Sequence, residues 1–193
     1  MNAPRSAILV TGGAGYIGSH VVRLLVDAGA AVVVLDDLSQ GFPDAVPAGV
    51  PLIRANVADR HQVEAVLRRY AIAAVMHFAA HIQVGESEKM SGHFYQENTA
   101  GTLSLLSAMA ACKVEIFVFS STAAIFGEPV SPRIAENHPQ NPLSPYGRSK
   151  WLVENMLPDF AAAHGLRSVC LRYFNAAGAH PDGSIGGRPD PGT

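Results

Sequence analysis

Two groups of residues have types and spacings that chemistry could use. In Tyr146-Gly147-Arg148-Ser149-Lys150, the phenol and the amine stand four residues apart, so on a helix they share one face. An ammonium beside a phenol favours the phenolate and lowers the tyrosine pKa from its reference of about 10. That predicts a general base near neutral pH. Thr122 ends the stretch Phe119-Ser120-Ser121-Thr122, where a hydroxyl could share the proton of a substrate hydroxyl. Ser120 or Ser121 reads more simply as a turn hydroxyl bonding its own backbone. The second group is Gly13-x-Gly15-x-x-Gly18, whose glycines permit a tight turn and a close approach of the backbone to a pyrophosphate. Asp36 follows at the distance where a carboxylate accepts the hydroxyls of an adenine ribose and repels a 2′-phosphate, which favours NAD over NADP.

These residues need a frame. Ala7-Ile8-Leu9-Val10 reads as a buried strand closed by Thr11-Gly12, and Tyr16 to Ala28 carries apolar residues at helical spacing before Gly29. The glycine turn thus lies between a strand and a helix, the context that lifts it above a chance match. Further strands are expected at Ala31 to Leu35, Leu52-Ile53, Ala73 to Phe78, Val114 to Phe119 and Val169 to Tyr173. Helices are expected at Arg60 to Tyr70, from about Phe94 to Ala111, and at Tyr146 to His164. Strands alternating with helices predict an α/β fold, a doubly wound, mostly parallel sheet of Rossmann type. Ligands of such sheets bind outside the carboxyl ends of the strands, where Thr122 falls. Tyr-x-x-x-Lys alone mostly marks an exposed helix pair. It gains weight here because alcohol oxidation by a dinucleotide needs a proton acceptor. Gly127 to Pro145, rich in proline, reads as a loop, and Ala176 to Thr193 as a loop without a partner.

Composition narrows the class. The chain has 193 residues, 48% of them hydrophobic and 16% charged, with a net charge of −2, which suits a folded domain and recommends neither nucleic acid nor a polybasic membrane anchor. The apolar run near the N-terminus breaks at Thr11-Gly12, too early for a signal peptide or a membrane span. Cys112 and Cys170 read as buried free thiols, which fits a reducing cytoplasm. His77-x-x-x-His81 has zinc-like spacing, but that spacing binds zinc only on a helix, and His77 is expected to end a strand, so no metal is expected. Leu103, Leu106, Met109 and Ala110 are expected in the core, and Trp151 as a packing residue.

The stretches Thr11 to His20, Asp36 to Gly41, His77-Phe78-Ala79-Ala80, Val84-Gly85-Glu86-Ser87, Asn98, Ser120-Ser121-Thr122, Ser144 to Lys150 and Arg172 to Ala179 resemble, in this order, the extended short-chain dehydrogenase/reductase family, and within it the enzymes that epimerise UDP-hexoses at C4. The resemblance covers nearly the whole chain. It implies that Tyr146 removes the sugar 4-hydroxyl proton with Thr122 assisting and Lys150 holding the nicotinamide ribose, in a cycle that interconverts UDP-glucose and UDP-galactose through bound NAD. It further implies cofactor contacts from Gly12, Gly15, Tyr16, Ile17, Gly18, Asp36, Asp37, Asn56, Val57, Phe78, Ala79, Ala80, Asn98, Ser120, Tyr146, Lys150, Tyr173 and Phe174. Asn98 would interrupt the long helix and support the site, and Asn175 would meet the substrate diphosphate. A homodimer through a four-helix bundle, built from the helix near Phe94 to Ala111 and the one after Tyr146, is implied too.

The chain departs from the family at Asn56, where an aspartate is usual, at Ile82 in place of a lysine, and at Phe126 in place of a tyrosine. Relatives continue well past this length, so residues 1–174 are expected to form the NAD-binding domain and 175–193 the start of a truncated substrate region. The chain alone is then expected to fold poorly or to bind NAD weakly, with little activity. A nucleotide-sugar 4,6-dehydratase would need an acid and a base after Thr122, where Ala123 and Ala124 carry no proton-transfer group. Epimerisation of another UDP-sugar, or an inactive NAD-binding remnant, are the remaining alternatives.

Overall fold

The computed structural model describes residues 6–188, so residues 1–5, the start of the N-terminal segment read above, and residues 189–193, the end of the tail, lie outside it. Six short strands pair in parallel: β1 (Ala7–Thr11), β2 (Val32–Asp36), β3 (Leu52–Arg54), β4 (Ile72–His77), β5 (Ile116–Ser120) and β6 (Arg167–Leu171). Their order is β3-β2-β1-β4-β5-β6, so the chain reverses direction across the sheet between β1 and β4. The carboxyl ends of those two strands open the crevice that receives ligands in such sheets. All five residues of β2 are buried, as expected of a strand between two neighbours with helices on its faces.

Helices α1 (Tyr16–Asp27), α2 (Arg60–Arg69), α5 (Gly101–Cys112) and α6 (Pro145–His164) provide the crossovers, together with two short helices, α3 (Val84–Lys89) and α4 (Ser91–Phe94). One face of the sheet carries the larger core, in which Leu9, Leu35, Val75, Phe117 and Phe119 meet Leu105, Leu106 and Met109 of α5 and Val153 and Leu157 of α6. The other face buries Val10, Val22, Val32 and Val34 under α1.

The segment read as one helix from Phe94 is divided. Helix α4 ends at Phe94, and a π-helical turn at Tyr95–Ala100 leads into α5. Asn98 in that turn is 1% exposed and is hydrogen-bonded to His81 and Ser149. Leu106 and Met109 are in the core as expected, but Leu103 is 43% exposed, because the inward stripe of α5 runs through Leu105 and Ala108 instead. Strand β6 begins two residues earlier than its apolar run suggested. Pairing with β5 starts at Arg167, and an edge strand with exposed residues leaves little hydrophobic pattern to read.

Both cysteines are free, but half-buried rather than buried. The tail has partners as far as residue 188: Ala179 bridges Gly186, the Tyr16 hydroxyl donates to the Gly178 carbonyl at 2.7 Å, and Arg188 pairs with Asp44 at 2.8 Å. Among the described residues, no helix is long and apolar enough to cross a membrane.

Candidate active site

The glycine turn is shaped by contacts that leave no space for side chains. Gly12, not Gly13, takes the left-handed conformation (φ +70°), and a Cβ there would lie 2.4 Å from the Ala79 amide nitrogen. A Cβ on Gly18 would lie 2.0 Å from the Gly12 carbonyl oxygen. So α1 is drawn onto the turn itself, and the turn onto the loop after β4. Gly15 is the N-cap of α1 and supplies no side-chain cap, which leaves the first amides of the helix free to meet an anion. Tyr16, Ile17 and Gly18 form that first turn.

A cleft opens beside it, lined by Gly12, Gly15, Asp36, Asp37, Asn56, Val57, Phe78, Ala79, Ala80, His81 and Glu97, among others. Nine of the residues expected to meet a dinucleotide therefore share one cleft. Asp36 is 7% exposed, with one carboxylate oxygen accepting from the Ala14 amide and the other from the Leu38 amide, both at 2.9 Å. Burial pushes its pKa up, against the pull of these two amides. Asn56 does not keep a free side chain for a ligand. Its carbonyl accepts from the Ala58 amide, and its amide group donates to Asp37 and Glu97.

The second group gathers where β5 ends. Thr122 caps a short turn at Ala123–Phe126 by accepting from the Ala124 amide at 3.1 Å. The hydroxyl that bonds its own backbone is therefore Thr122, rather than Ser120 or Ser121. Ser120 bonds the Tyr173 hydroxyl and Ser121 the Glu154 carboxylate, which Arg172 also grips. Helix α6 is capped by the Ser144 hydroxyl, and its first turn lies so close to Ala124 that a Cβ on Gly147 would sit 2.8 Å from the Ala124 carbonyl oxygen. That approach brings Tyr146 to Thr122.

Lys150 is 2% exposed and donates to the Ser120 carbonyl at 3.0 Å. Burial brings its pKa down to about 7. The Tyr146 phenol moves the other way. Burial raises its pKa, the Thr122 hydroxyl pulls it down, and Tyr173 raises it further. Lys150, expected to lower the tyrosine pKa, does not do so here, because its amine is turned to a backbone carbonyl and is itself desolvated. Phe174 is 70% exposed and Asn175 is exposed as well, and neither lines the cleft.

Sequence reasoning missed the polar chain that joins the two groups. The Asn98 carboxamide oxygen accepts from the His81 amide, and its nitrogen donates to the His81 carbonyl, both at 2.9 Å, which fixes the loop after β4. The same nitrogen donates to Ser149, whose hydroxyl donates to the Tyr146 carbonyl. On the other side, the Thr102 hydroxyl donates to the Asn98 carbonyl and so accepts from His77 Nε2, which leaves His77 Nδ1 to accept from Thr11. Burial holds the His77 pKa down at about 3, so the ring stays neutral. Both ring nitrogens are committed, so this histidine has none left for a metal. The available signal was a histidine and a threonine ending otherwise apolar strands. Among the described residues, no three His, Cys, Asp or Glu side chains gather where they could hold a metal.

The sequence and the fold resemble those of known proteins. The sequence profile of the NAD dependent epimerase/dehydratase family matches residues 8–188. The UDP-glucose 4-epimerase of Azospirillum brasilense is 51% identical over 179 residues, which are 93% of this chain and 51% of that protein. The UDP-glucose 4-epimerase of Rhizobium meliloti (strain 1021) is 50% identical over 96% of this chain and 56% of its own length. The crystal structure of UDP-glucose 4-epimerase from Brucella ovis, in complex with NAD, superposes with a TM-score of 0.95 at 44% identity, over 97% of this chain and 57% of that one. The chain spans about half the length of the curated relatives it matches. A profile match over almost all the described residues, on a sheet that carries the glycine turn, Asp36 and the Tyr146–Lys150 pair, makes this chain a member of the NAD dependent epimerase/dehydratase family.

Proposed function

We propose that this chain is the NAD-binding part of a UDP-hexose 4-epimerase that interconverts UDP-glucose and UDP-galactose, with residues 1–174 forming the dinucleotide domain and 175–193 leading into the substrate region. The observation that carries the reading is the meeting of Thr122, Tyr146 and Lys150 at the carboxyl end of β5, tied through Asn98 to the loop that packs on the glycine turn.

The uncapped amides of α1 fit a pyrophosphate, and Asp36 keeps lone pairs for ribose hydroxyls. When bound, the nicotinamide supplies a reversible acceptor for the hydrogen and electron pair of sugar C4. The chain's own residues handle the proton. Tyr146 takes it from the 4-hydroxyl, with Thr122 sharing it, and gives it back when the 4-keto sugar is reduced on the opposite face. Lys150 in its charged form stabilises the phenolate and holds the nicotinamide ribose. Ser120, Tyr173 and Phe174 belong to the cofactor side of this reading, and Asn175 to the substrate diphosphate. Ala123 and Ala124 offer no acid or base for dehydration.

A UDP-hexose partner follows from this reading. So does self-association through α5 and α6, which is supported by Leu103 and Leu152, 43% and 38% exposed on those helices. The deciding experiment incubates the purified protein that carries this chain with UDP-galactose and follows UDP-glucose by chromatography. Conversion without net consumption of NAD is expected, with Y146F slower by about 10²-fold or more. NAD binding without conversion would remove the epimerase reading and leave a dinucleotide-binding module. Sedimentation of the same preparation is expected to give twice the protomer mass, and a monomer would remove the bundle.

A further inference from the structure

The cleft continues beyond Asp36 to the residues that follow β3, Asn56 and Val57, and to Glu97 of the π-helical turn. A dinucleotide whose pyrophosphate sits at α1 and whose ribose sits at Asp36 places its purine there. Asn56 occupies the position where the family usually has an aspartate, and each polar atom of its side chain already has a protein partner. Its carbonyl accepts from the Ala58 amide at 2.8 Å, and its two amide hydrogens go to Asp37 at 3.0 Å and Glu97 at 3.1 Å. Both Asp37 oxygens have protein partners as well, Ser39 on one and Asn56 on the other. Glu97 uses only Oε2 among the described residues, while Oε1 has no protein partner and the residue lines the cleft. An ionised carboxylate only accepts, and the one strong donor on the edge of adenine is its amino group.

We propose that Glu97, oriented by Asn56, is the acceptor that recognises the adenine amino group, so that the carboxylate usual after β3 is replaced by one on the π-helical turn. The inference rests on the NAD reading above. Asn56 then works as a clamp between two carboxylates, and an aspartate in its place would set three carboxylates within hydrogen-bond distance.

The test compares NAD with nicotinamide hypoxanthine dinucleotide, which carries a carbonyl in place of that amino group, by calorimetric titration of the purified protein that carries this chain. The unsubstituted chain is expected to prefer NAD by about tenfold or more, since a charged hydrogen bond is exchanged for a repulsion. Glu97→Gln, which can accept or donate, is expected to shrink the preference to roughly threefold or less. An unchanged preference in this variant, or none in the unsubstituted chain, overturns the inference alone. Binding of neither dinucleotide overturns the NAD reading and the inference with it. A second variant, Asn56→Asp, restores the usual residue and is expected to weaken NAD binding by about threefold or more through repulsion. Equal or tighter binding would mean that no repulsion with Glu97 arises at the purine and would overturn the inference.

Discussion

At the α1 end, the part of the candidate site that faces a phosphate is made of backbone. Gly12 and Gly18 touch main-chain atoms of their neighbours, and the groups offered to a ligand are amides that no pH between acid and alkali removes. At the β5 end it is made of side chains, and two of these titrate. Burial moves Tyr146 up and Lys150 down, so both are driven toward their neutral forms. A backbone site is rigid because its parts are covalently consecutive and sterically packed. A side-chain site depends on how closely α6 approaches the turn after β5, and on the cost of keeping a charge away from water. The first should therefore fail through shape and the second through both shape and protonation.

The contrast breaks most sharply at Gly18. An alanine there would set a methyl group 2.0 Å from the Gly12 carbonyl oxygen, an atom that cannot swing aside. We expect Gly18→Ala to destabilise the chain by about 3 kcal/mol, despite the higher helix propensity of alanine, and to abolish dinucleotide binding. Urea unfolding and calorimetry check both parts. A variant of ordinary stability would mean that α1 can shift away from the turn.

The same contrast explains what could be read in the sequence. The glycine turn and Asp36 were legible because their geometry is local: strand, turn, helix and the end of the next strand follow within thirty residues. The sheet was legible because β2, buried throughout, and β1 leave continuous apolar runs. The pair Tyr146 and Lys150 was legible as spacing, but the state of the pair was not. That Lys150 faces the Ser120 carbonyl depends on where β5 lies against α6, a tertiary fact. The joining chain through Thr11, His77, Thr102, Asn98 and Ser149 was invisible for the same reason, since its members are up to 66 positions apart at a single contact. The π-helical turn that points Asn98 inward is set by those contacts and not by propensity. Edge strand β6 and the tail to residue 188 were read least well, because exposed segments have no burial pattern to announce them.

Gly147 brings the contrast to the other end of the site. Here too a Cβ would meet a carbonyl oxygen, that of Ala124, but at 2.8 Å rather than 2.0 Å, a smaller overlap. Alanine also gains up to about 1 kcal/mol over glycine within a helix. Gly147→Ala is therefore expected to cost only about 1 kcal/mol in stability. The displacement falls between Tyr146 and Thr122, so epimerase turnover should drop by about tenfold or more while dinucleotide affinity stays within roughly twofold. Equal losses in affinity and turnover would mean that the two ends are not separable.

The smallest effect expected is a matter of protonation. Lys150 has its pKa lowered by burial from 10.5 to about 7, whereas in the unfolded chain it stays near the higher value. Between those limits the unfolded state binds more protons than the folded state, so this residue makes stability rise with pH from about 7 upward and costs stability below that. Lys150→Met keeps the bulk and removes the charge. It should raise stability by about 1 kcal/mol or more at pH 6 to 7, with an advantage that shrinks as the pH rises. Cys170, with its pKa raised by burial to about 11, works in the opposite sense once an unfolded thiol begins to ionise. Tyr146 and Tyr173, both raised by burial, act similarly at higher pH still. The window from pH 7 to 8 therefore isolates the lysine, and the difference between variant and unsubstituted chain cancels what remains. Chemical denaturation at several pH values in that window gives the slope directly. An advantage that stays flat with pH would mean that Lys150 is charged in the folded chain throughout, and the β5 end would then be no more sensitive to protonation than the glycine turn.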